Sequence, residues 1–213
     1  LKKFKPEIII VCGYISRNKI KDDLACKLSQ TDLKVDSNIK GYNAEMGVPL
    51  SVLRLEAGFS SLYKWFILLV KGIKRILSKK QNTQVLILEI HPDEFLKLRK
   101  LLMKMNIKYI VFSDFLPNFS NKNELLKWRC LFENLLGQGT VFLFPIDLID
   151  FFKEIKLFKD QIITFGRSND ADFIILEVIE SDNYQEFIYR YNNQEFKFNI
   201  NEFGDTAIYS FMI

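Results

Sequence analysis

The stretch PEIIIVCGYISRNKIKD, residues Pro6–Asp22, is the part of the sequence that most directly indicates the fold. Its first half predicts a buried strand over Glu7–Cys12, because the five residues after Glu7 are all apolar. A polar turn over Gly13–Asn18 follows, and from Ile20 to Ser29 the pattern is helical. A buried strand, a turn and a helix in this order are typical of a parallel sheet covered by helices.

The same alternation continues along the chain. Further strands are predicted at Gln84–Ile90, Lys108–Ser113, Thr140–Phe144 and Gln161–Phe165. Helices are predicted at Asn43–Leu55, Ser60–Leu77, Asp93–Met105, Asn121–Leu136 and Asp147–Ile155, and the last stretch, Asp205–Ile213, also has a helical pattern. From Phe173 three strands joined by short turns indicate an antiparallel meander. The predicted fold class is α/β, a mostly parallel sheet flanked by helices with an antiparallel extension near the C-terminus.

The composition narrows the class of protein. Of 213 residues 48% are hydrophobic, which excludes a disordered chain and suits one domain, residues 1–213. Thirty Lys and Arg against 26 Asp and Glu give a net charge of +4, so we expect no nucleic-acid partner. The three cysteines are far apart with no CxxC, which indicates the cytoplasm rather than a disulfide framework. A single histidine, His91, excludes sites that need several.

The chain contains one strongly apolar helical segment, around Trp65–Val70. It is far shorter than the ~18 apolar residues that a membrane span needs. The basic residues that accompany it are interpreted as a solvated helix face, and contact with a membrane surface is not expected; docking of this helix on anionic membrane lipid is the weaker alternative. These residues are Lys71, Lys74, Arg75, Lys79 and Lys80.

The turn after the first strand lies where a parallel α/β sheet binds ligands. A phosphate-binding loop there needs glycines, a lysine for the terminal phosphates, and a Ser or Thr for magnesium. Gly13 is present, but Ser16, Arg17 and Asn18 stand at the positions of the second glycine, the lysine and the hydroxyl residue. The turn alone therefore does not identify a phosphate-binding loop.

Other segments, taken in order, carry a resemblance to a known family. GYNAEMGVPL begins at Gly41, VLILEIHPD ends at Asp93, and TFGRSNDAD runs from Thr164 to Asp172. These correspond to N-x-N-N-[DE]-x-G-x-P-[LM], [LV]-x-L-E-x-G-x-D and T-F-G-x-x-x-x-A-D of the Mur ligases. The series resembles their central, ATP-binding domain, and most of all the MurF-like branch, which adds D-alanyl-D-alanine to the peptidoglycan precursor.

The resemblance implies a set of remnant site positions. Residues at the nucleotide site are Gly13, Ser16, Arg17, Asn18 and Asp147; the metal position is Glu89, and the substrate-loop positions are Asn43 and Glu45. The cofactors that the family uses are ATP and Mg²⁺, and no catalytic residue is assigned here.

Several family residues are replaced in this sequence. Trp128 stands at the carbamylated lysine that supports the second metal, and Phe119 at the histidine of that metal. Phe144 and Ile146 replace an Asn and an Asp on the adenine side, and Thr206-Ala207 replaces a terminal His-Asn pair. Because acyl-phosphate formation needs the γ-phosphate charge neutralised, these losses predict a degenerate, non-catalytic domain.

Two functional interpretations follow. In the favoured one, the chain is a pseudoenzyme that acts as a binding or partner module related to peptidoglycan-precursor synthesis. Its partner would be a cell-wall biosynthesis protein or an active paralogue. In the alternative, it is an ATP-dependent acid–amino-acid ligase, with Arg17 in place of the lysine and Glu89 on one magnesium. The family's N-terminal substrate domain and C-terminal domain do not fit within residues 1–213 and are expected to be absent.

Overall fold

The computed structural model describes residues 6–14, 16–38, 42, 45–53, 55, 61–77, 83–113, 122–149, 161–204, 207–208 and 212. Within them the chain forms one nine-stranded sheet flanked by helices. The strands are Glu7–Cys12 (β1), Val35–Ser37 (β2), Val85–Ile90 (β3), Ile107–Phe112 (β4), Val141–Pro145 (β5), Ile162–Gly166 (β6), Phe173–Glu180 (β7), Gln185–Tyr191 (β8) and Gln194–Ile200 (β9). The helices are Arg17–Ser29 (α1), Gly47–Val52 (α2), Leu62–Leu77 (α3), Pro92–Phe95 (α4), Arg99–Leu102 (α5) and Lys122–Leu136 (α6).

The strand order is β2-β3-β1-β4-β5-β6-β7-β8-β9. All neighbouring pairs from β2 to β7 are parallel, and β7, β8 and β9 pair antiparallel. This arrangement confirms the predicted fold class. The edge strand β2 was not predicted, because Val35–Ser37 is only three residues long and lies in a polar stretch.

The two faces of the parallel sheet bury different cores. On one face an aromatic cluster fills the space between the sheet and α6, with α2, α4 and α5 around it. Its central rings are Phe95, Phe112, Trp128, Phe132 and Phe142. On the other face α1 packs through Ile20 against Val11, Val85, Ile87 and Val111. Because side chains alternate along a strand, every second residue of β3 faces α1.

Three predicted helices differ from the structure. The helix predicted at Asp93–Met105 is two short helices, α4 and α5, joined by tight i→i−3 hydrogen bonds such as Leu101 N to Leu98 O. The helix predicted at Asp147–Ile155 begins as a 3-10 turn, Ile146–Leu148, and its remainder lies outside the described residues. The segment predicted at Asn43–Leu55 is helical over Gly47–Val52.

The C-terminal meander follows the predicted pattern. Asn192 and Asn193 join β8 to β9 with φ values of 49° and 61°, the left-handed backbone that a two-residue type I′ turn requires. Before it, the loop between β6 and β7 is closed by Asp172, whose Oδ2 accepts hydrogen bonds from the backbone N and the hydroxyl of Thr164 at 2.8 and 2.9 Å. The helical pattern at Asp205–Ile213 falls almost entirely outside the described residues.

Candidate functional site

The carboxyl end of β1 lies near the centre of the sheet, between β3 and β4. From β1 the chain crosses to β2 on one side, whereas from β4 it continues to β5 on the other. Open α/β sheets bind ligands where the connections diverge in this way. The turn at Gly13–Ser16 and the first turn of α1 occupy this place.

Glu89 comes to the same place from the neighbouring strand. It stands opposite Val11 in the parallel β1–β3 register, and it faces α1 because it shares the alternation of Val85 and Ile87. Its side chain is fully buried. A buried carboxylate needs positive charge or hydrogen bonds around it to remain ionised.

Arg17, the first residue of α1, supplies the first positive charge. Its Nε donates a 3.0 Å hydrogen bond to Oε1 of Glu89. Its Nη1 donates to the carbonyl oxygens of Gly13 at 2.8 Å and of Tyr14 at 2.5 Å. The guanidinium therefore cross-links the turn, and the two backbone carbonyls of the turn point towards this cation.

Lys21 supplies the second positive charge one helical turn later. Its Nζ lies 3.6 Å from Oε2 of Glu89 and donates a 3.0 Å hydrogen bond to the carbonyl of Asn38. Only 2% of the Lys21 residue is exposed to solvent, which is unusual for lysine. Arg17, Lys21 and Glu89 thus form an ion cluster at the end of β1, with both cations on one face of α1.

Asn38 fixes the backbone around Glu89. Its Oδ1 accepts a 2.8 Å hydrogen bond from the Glu89 N–H, and its Nδ2 donates to the carbonyls of Tyr42 and Glu89 at 2.9 and 3.2 Å. Asn38 and Lys21 were not among the predicted site residues. The i, i+4 spacing of Arg17 and Lys21 around the core residue Ile20 was the signal available for Lys21.

The geometry of this turn does not fit a bound nucleotide phosphate and its metal. A phosphate-binding loop directs backbone N–H groups at the anion, whereas the carbonyls of Gly13 and Tyr14 face Arg17. Magnesium at Glu89 would have to displace Arg17 from Oε1, and at Oε2, which accepts no hydrogen bond from the described residues, it would meet the Lys21 ammonium 3.6 Å away. Oδ1 of Asn18 is buried and accepts no hydrogen bond from the described residues, but one amide oxygen does not replace a carboxylate ligand.

The other predicted site residues lie apart from this cluster or fall outside the described residues. Ser16 directly precedes α1, and its carbonyl accepts the first helical hydrogen bond from Ile20. Asp147 is exposed in the 3-10 turn after β5, two strands from β1. Glu45 is exposed just before α2, and Asn43 lies outside the described residues.

Among the described residues, three positions matched to the second metal and the adenine side are apolar core. Trp128 is buried, with its ring stacked on Phe95 at 5.3 Å and against Phe132 at 5.3 Å. Phe144 and Ile146 are also buried. Phe119 and Thr206 lie outside the described residues. Within the described ranges, the His, Cys, Asp and Glu side chains form no group of three or more that could hold a metal ion.

His91 and Tyr14 lie beside this site and contact each other through their rings. The Tyr14 hydroxyl donates a 2.8 Å hydrogen bond to Oδ1 of Asp93, and its ring meets the His91 ring edge-on at 5.3 Å. His91 caps α4, because its Nδ1 accepts the backbone N–H of Asp93 at 3.3 Å. The single histidine therefore has a structural partner at the helix start.

The chain resembles solved structures in fold, although no sequence comparison finds a match. No protein-family model matches the sequence, and no curated protein matches it. Among solved structures, the chain is similar to MurF ligase from Thermotoga maritima in complex with ADP, with a TM-score of 0.64 at 15% identity over 99% of this chain and 44% of that one.

Two further structures agree. The UDP-N-acetylmuramoylalanyl-D-glutamyl-2,6-diaminopimelate–D-alanyl-D-alanyl ligase from Acinetobacter baumannii gives a TM-score of 0.68 at 14% identity, over 98% of this chain and 41% of that one. Folylpolyglutamate synthetase from Lactobacillus casei gives 0.57 at 11% identity, over 98% and 55%. The chain spans less than half the length of these two Mur ligases. The chain has a Mur-ligase-like fold.

Proposed function

We propose that this chain is a Mur-ligase-like domain whose nucleotide and metal position is taken by its own ion cluster, and that it works as a non-catalytic binding module related to peptidoglycan-precursor synthesis. The observation that carries the proposal is the guanidinium of Arg17, which bonds Glu89 and the carbonyls of Gly13 and Tyr14 at once. The peptidoglycan relation rests on the resemblance and on the fold alone.

The loss of catalysis follows from what phosphoryl transfer needs. The protein must present a free cation and a metal to the terminal phosphate, because catalysis there is almost entirely positioning and charge neutralisation. In this chain Arg17 and Lys21 already contact Glu89, and Trp128 fills the position matched to the metal-supporting lysine with an apolar ring. Each replacement removes a different part of that machinery.

The proposed partner is an active paralogue or another cell-wall biosynthesis protein. The test is analytical ultracentrifugation of this chain mixed with a purified MurF-type ligase. We expect a species heavier than either protein alone. Two independent sedimenting species at concentrations well above micromolar would remove this partner from the proposal.

The absence of ligase activity is tested by ATP turnover. The chain is incubated with Mg-ATP, a UDP-N-acetylmuramoyl-tripeptide and D-alanyl-D-alanine, and the release of ADP is measured. We expect no release above a reaction without the chain. Release that requires the chain and is lost in Glu89→Gln would overturn the non-catalytic assignment.

One observation favours the second candidate, an ATP-dependent acid–amino-acid ligase that works through an acyl phosphate. Oδ1 of Asn18, at the position matched to the magnesium-binding hydroxyl, is buried and accepts no hydrogen bond from the described residues. An active site would also require Arg17 to leave Glu89 and turn towards a phosphate. The turnover measurement separates the two candidates, since only the ligase releases ADP.

A further inference from the structure

The long helix α3 exposes an apolar face to solvent. Its exposed apolar side chains are between 40% and 71% accessible, and they recur at the spacing of one helix face; they are Tyr63, Phe66, Leu69, Val70 and Ile73. Singly exposed apolar residues are ordinary, but a continuous row over three turns of one helix marks a docking surface.

The opposite side of α3 is what attaches the helix to the protein. Leu68 and Gly72 are buried there, and an added Cβ at Gly72 would lie 3.4 Å from a side-chain carbon of Leu55. The five apolar side chains are thus separate from the face that packs on the domain. Their exposure is not explained by the fold of this chain.

The charge of α3 indicates what covers the apolar face. Lys64, Lys71 and Lys74 are exposed, and helical geometry places them in a second row beside the apolar one. The helix contains Arg75 as well and has no acidic residue between Leu62 and Leu77. An apolar row flanked by lysines is complementary to an anionic lipid surface, where the apolar side chains enter the acyl boundary and the amines remain at the phosphates.

We propose that α3 docks on an anionic membrane surface, with Tyr63, Phe66, Leu69, Val70 and Ile73 towards the lipid and the lysines at the headgroups. The helix lies on the bilayer and does not cross it. Among the described residues, no helix has the length and apolarity needed to cross a membrane. The basic residues alone favoured a solvated face, and the exposed apolar row beside them changes that interpretation.

A second copy of the chain fits this face less well. Two α3 helices packed face to face would bring two rows of lysines together, and neither helix carries an acidic residue between Leu62 and Leu77. An anionic surface removes that repulsion and gains from each lysine. Contact with lipid is therefore the better match to the charge of the helix.

The test is cosedimentation of the chain with vesicles of two parts phosphatidylcholine to one part phosphatidylglycerol, compared with phosphatidylcholine alone. We expect binding to the anionic vesicles that weakens as salt is raised. Phe66→Ser with Leu69→Ser should reduce the affinity about tenfold or more, because two apolar groups are lost from the acyl boundary. Lys71→Gln with Lys74→Gln should reduce it about fivefold for each lysine, from ~1 kcal/mol per basic residue near the surface.

Matched control variants carry the same chemical changes elsewhere. Leu126→Ser with Phe203→Ser removes two other exposed apolar side chains, and Lys100→Gln with Lys104→Gln removes two other exposed lysines. Both controls should bind vesicles as the unchanged chain does. Since all eight positions are exposed, every variant should keep the melting temperature of the parent.

A second readout comes from tryptophan fluorescence. Trp65 lies half-buried in α3, whereas Trp128, the other tryptophan of the sequence, is buried in the aromatic core. Anionic vesicles should shift the emission to shorter wavelength in the parent but not in Trp65→Phe.

Three results would overturn the proposal. The first is no sedimentation with anionic vesicles. The second is sedimentation that the control variants reduce as much as the α3 variants do. The third is a concentration-dependent dimer in solution that Phe66→Ser with Leu69→Ser abolishes, which would make a second copy the occupant of this face.

Discussion

Nε of Arg17 lies 3.0 Å from Oε1 of Glu89, across the place where α1 leaves the first strand of the sheet. Lys21, one turn further along the helix, approaches the other oxygen of the same carboxylate at 3.6 Å. Two cations on one buried anion make this cluster a structural element. Arg17 holds one oxygen of Glu89 and the Lys21 ammonium lies beyond hydrogen-bond distance of the other, so a metal ion at this carboxylate would meet two positive charges.

Removal of the carboxylate should destabilise the domain. Glu89→Gln keeps the shape of the side chain but removes the buried negative charge that Arg17 and Lys21 share, so that Lys21 keeps only the exposed carboxylate of Asp22, 3.3 Å away. We expect a loss of about 3–5 kcal/mol in the free energy of unfolding, as for other buried ion pairs that lose one partner. The measurement is urea denaturation followed by circular dichroism.

A surface ion pair provides the matched control for that variant. Arg129 and Glu133 pair at 2.9 Å on α6, and both side chains are well exposed. Glu133→Gln should change the free energy of unfolding by no more than about 0.5 kcal/mol. If both variants lost the same free energy of unfolding, the buried Glu89 cluster would stabilise the domain no more than an exposed ion pair does.

Asn38 should stabilise the domain nearly as much as the ion cluster of Arg17, Lys21 and Glu89 that it contacts. Asn38→Ala removes an acceptor for the Glu89 N–H and a donor to two carbonyls, all in a buried region. We expect a loss of about 2–3 kcal/mol in the free energy of unfolding, from buried groups left without partners. Asn134→Ala, which removes exposed contacts to Cys130, should cost less than about 0.5 kcal/mol. A loss at Asn38 no larger than at Asn134 would contradict this role.

Restoration of a lysine at position 128 should not create a metal site. Trp128→Lys would bury an amine among Phe95 and Phe132, and we expect a loss of more than about 3 kcal/mol in the free energy of unfolding. Trp128→Phe keeps an apolar ring and should fold with a smaller loss. The comparison is made by thermal unfolding. A folded Trp128→Lys variant that gains a bound divalent metal would contradict our interpretation of this core.

Restoration of the phosphate-binding residues should also fail to restore activity. Arg17→Lys with Asn18→Thr recreates two residues that the resemblance implies, but Lys21 still contacts Glu89 and Trp128 still fills the core position matched to the metal-supporting lysine. We expect no Mg-ATP turnover from this double variant in an ADP-release assay. Turnover recovered by these two changes alone would show that the loss is confined to the turn.

Much of the fold could be predicted because short apolar runs rich in β-branched residues, such as Glu7–Cys12 and Gln84–Ile90, are typical of buried strands. The Asn192-Asn193 turn was equally readable, since few residues other than glycine and asparagine adopt its backbone. The strand Val35–Ser37 was missed because it is held by its neighbour β3 rather than by its own pattern. The break between α4 and α5 was also missed, because the i→i−3 hydrogen bonds that separate the two helices leave no periodic pattern in the sequence.

The candidate site was only partly readable from the sequence. The place of the turn after the first strand pointed to Gly13 and Arg17, and the resemblance to the Mur ligases added Glu89. The hydrogen bonds from Arg17 to the carbonyls of the turn could not be predicted, because residue types do not specify which way the peptide groups of the turn point. Lys21 was missed because a lysine in a helix is ordinarily exposed.

The most direct test of the proposed function is calorimetric titration of the chain with Mg-ATP, with Glu89→Gln as the companion variant. If Arg17 and Lys21 hold Glu89 as described, the titration gives no saturable heat even at millimolar nucleotide. Magnesium-dependent binding in the micromolar range would contradict the account, and its loss in Glu89→Gln, under conditions where circular dichroism shows this variant folded, would identify the carboxylate as a working metal ligand.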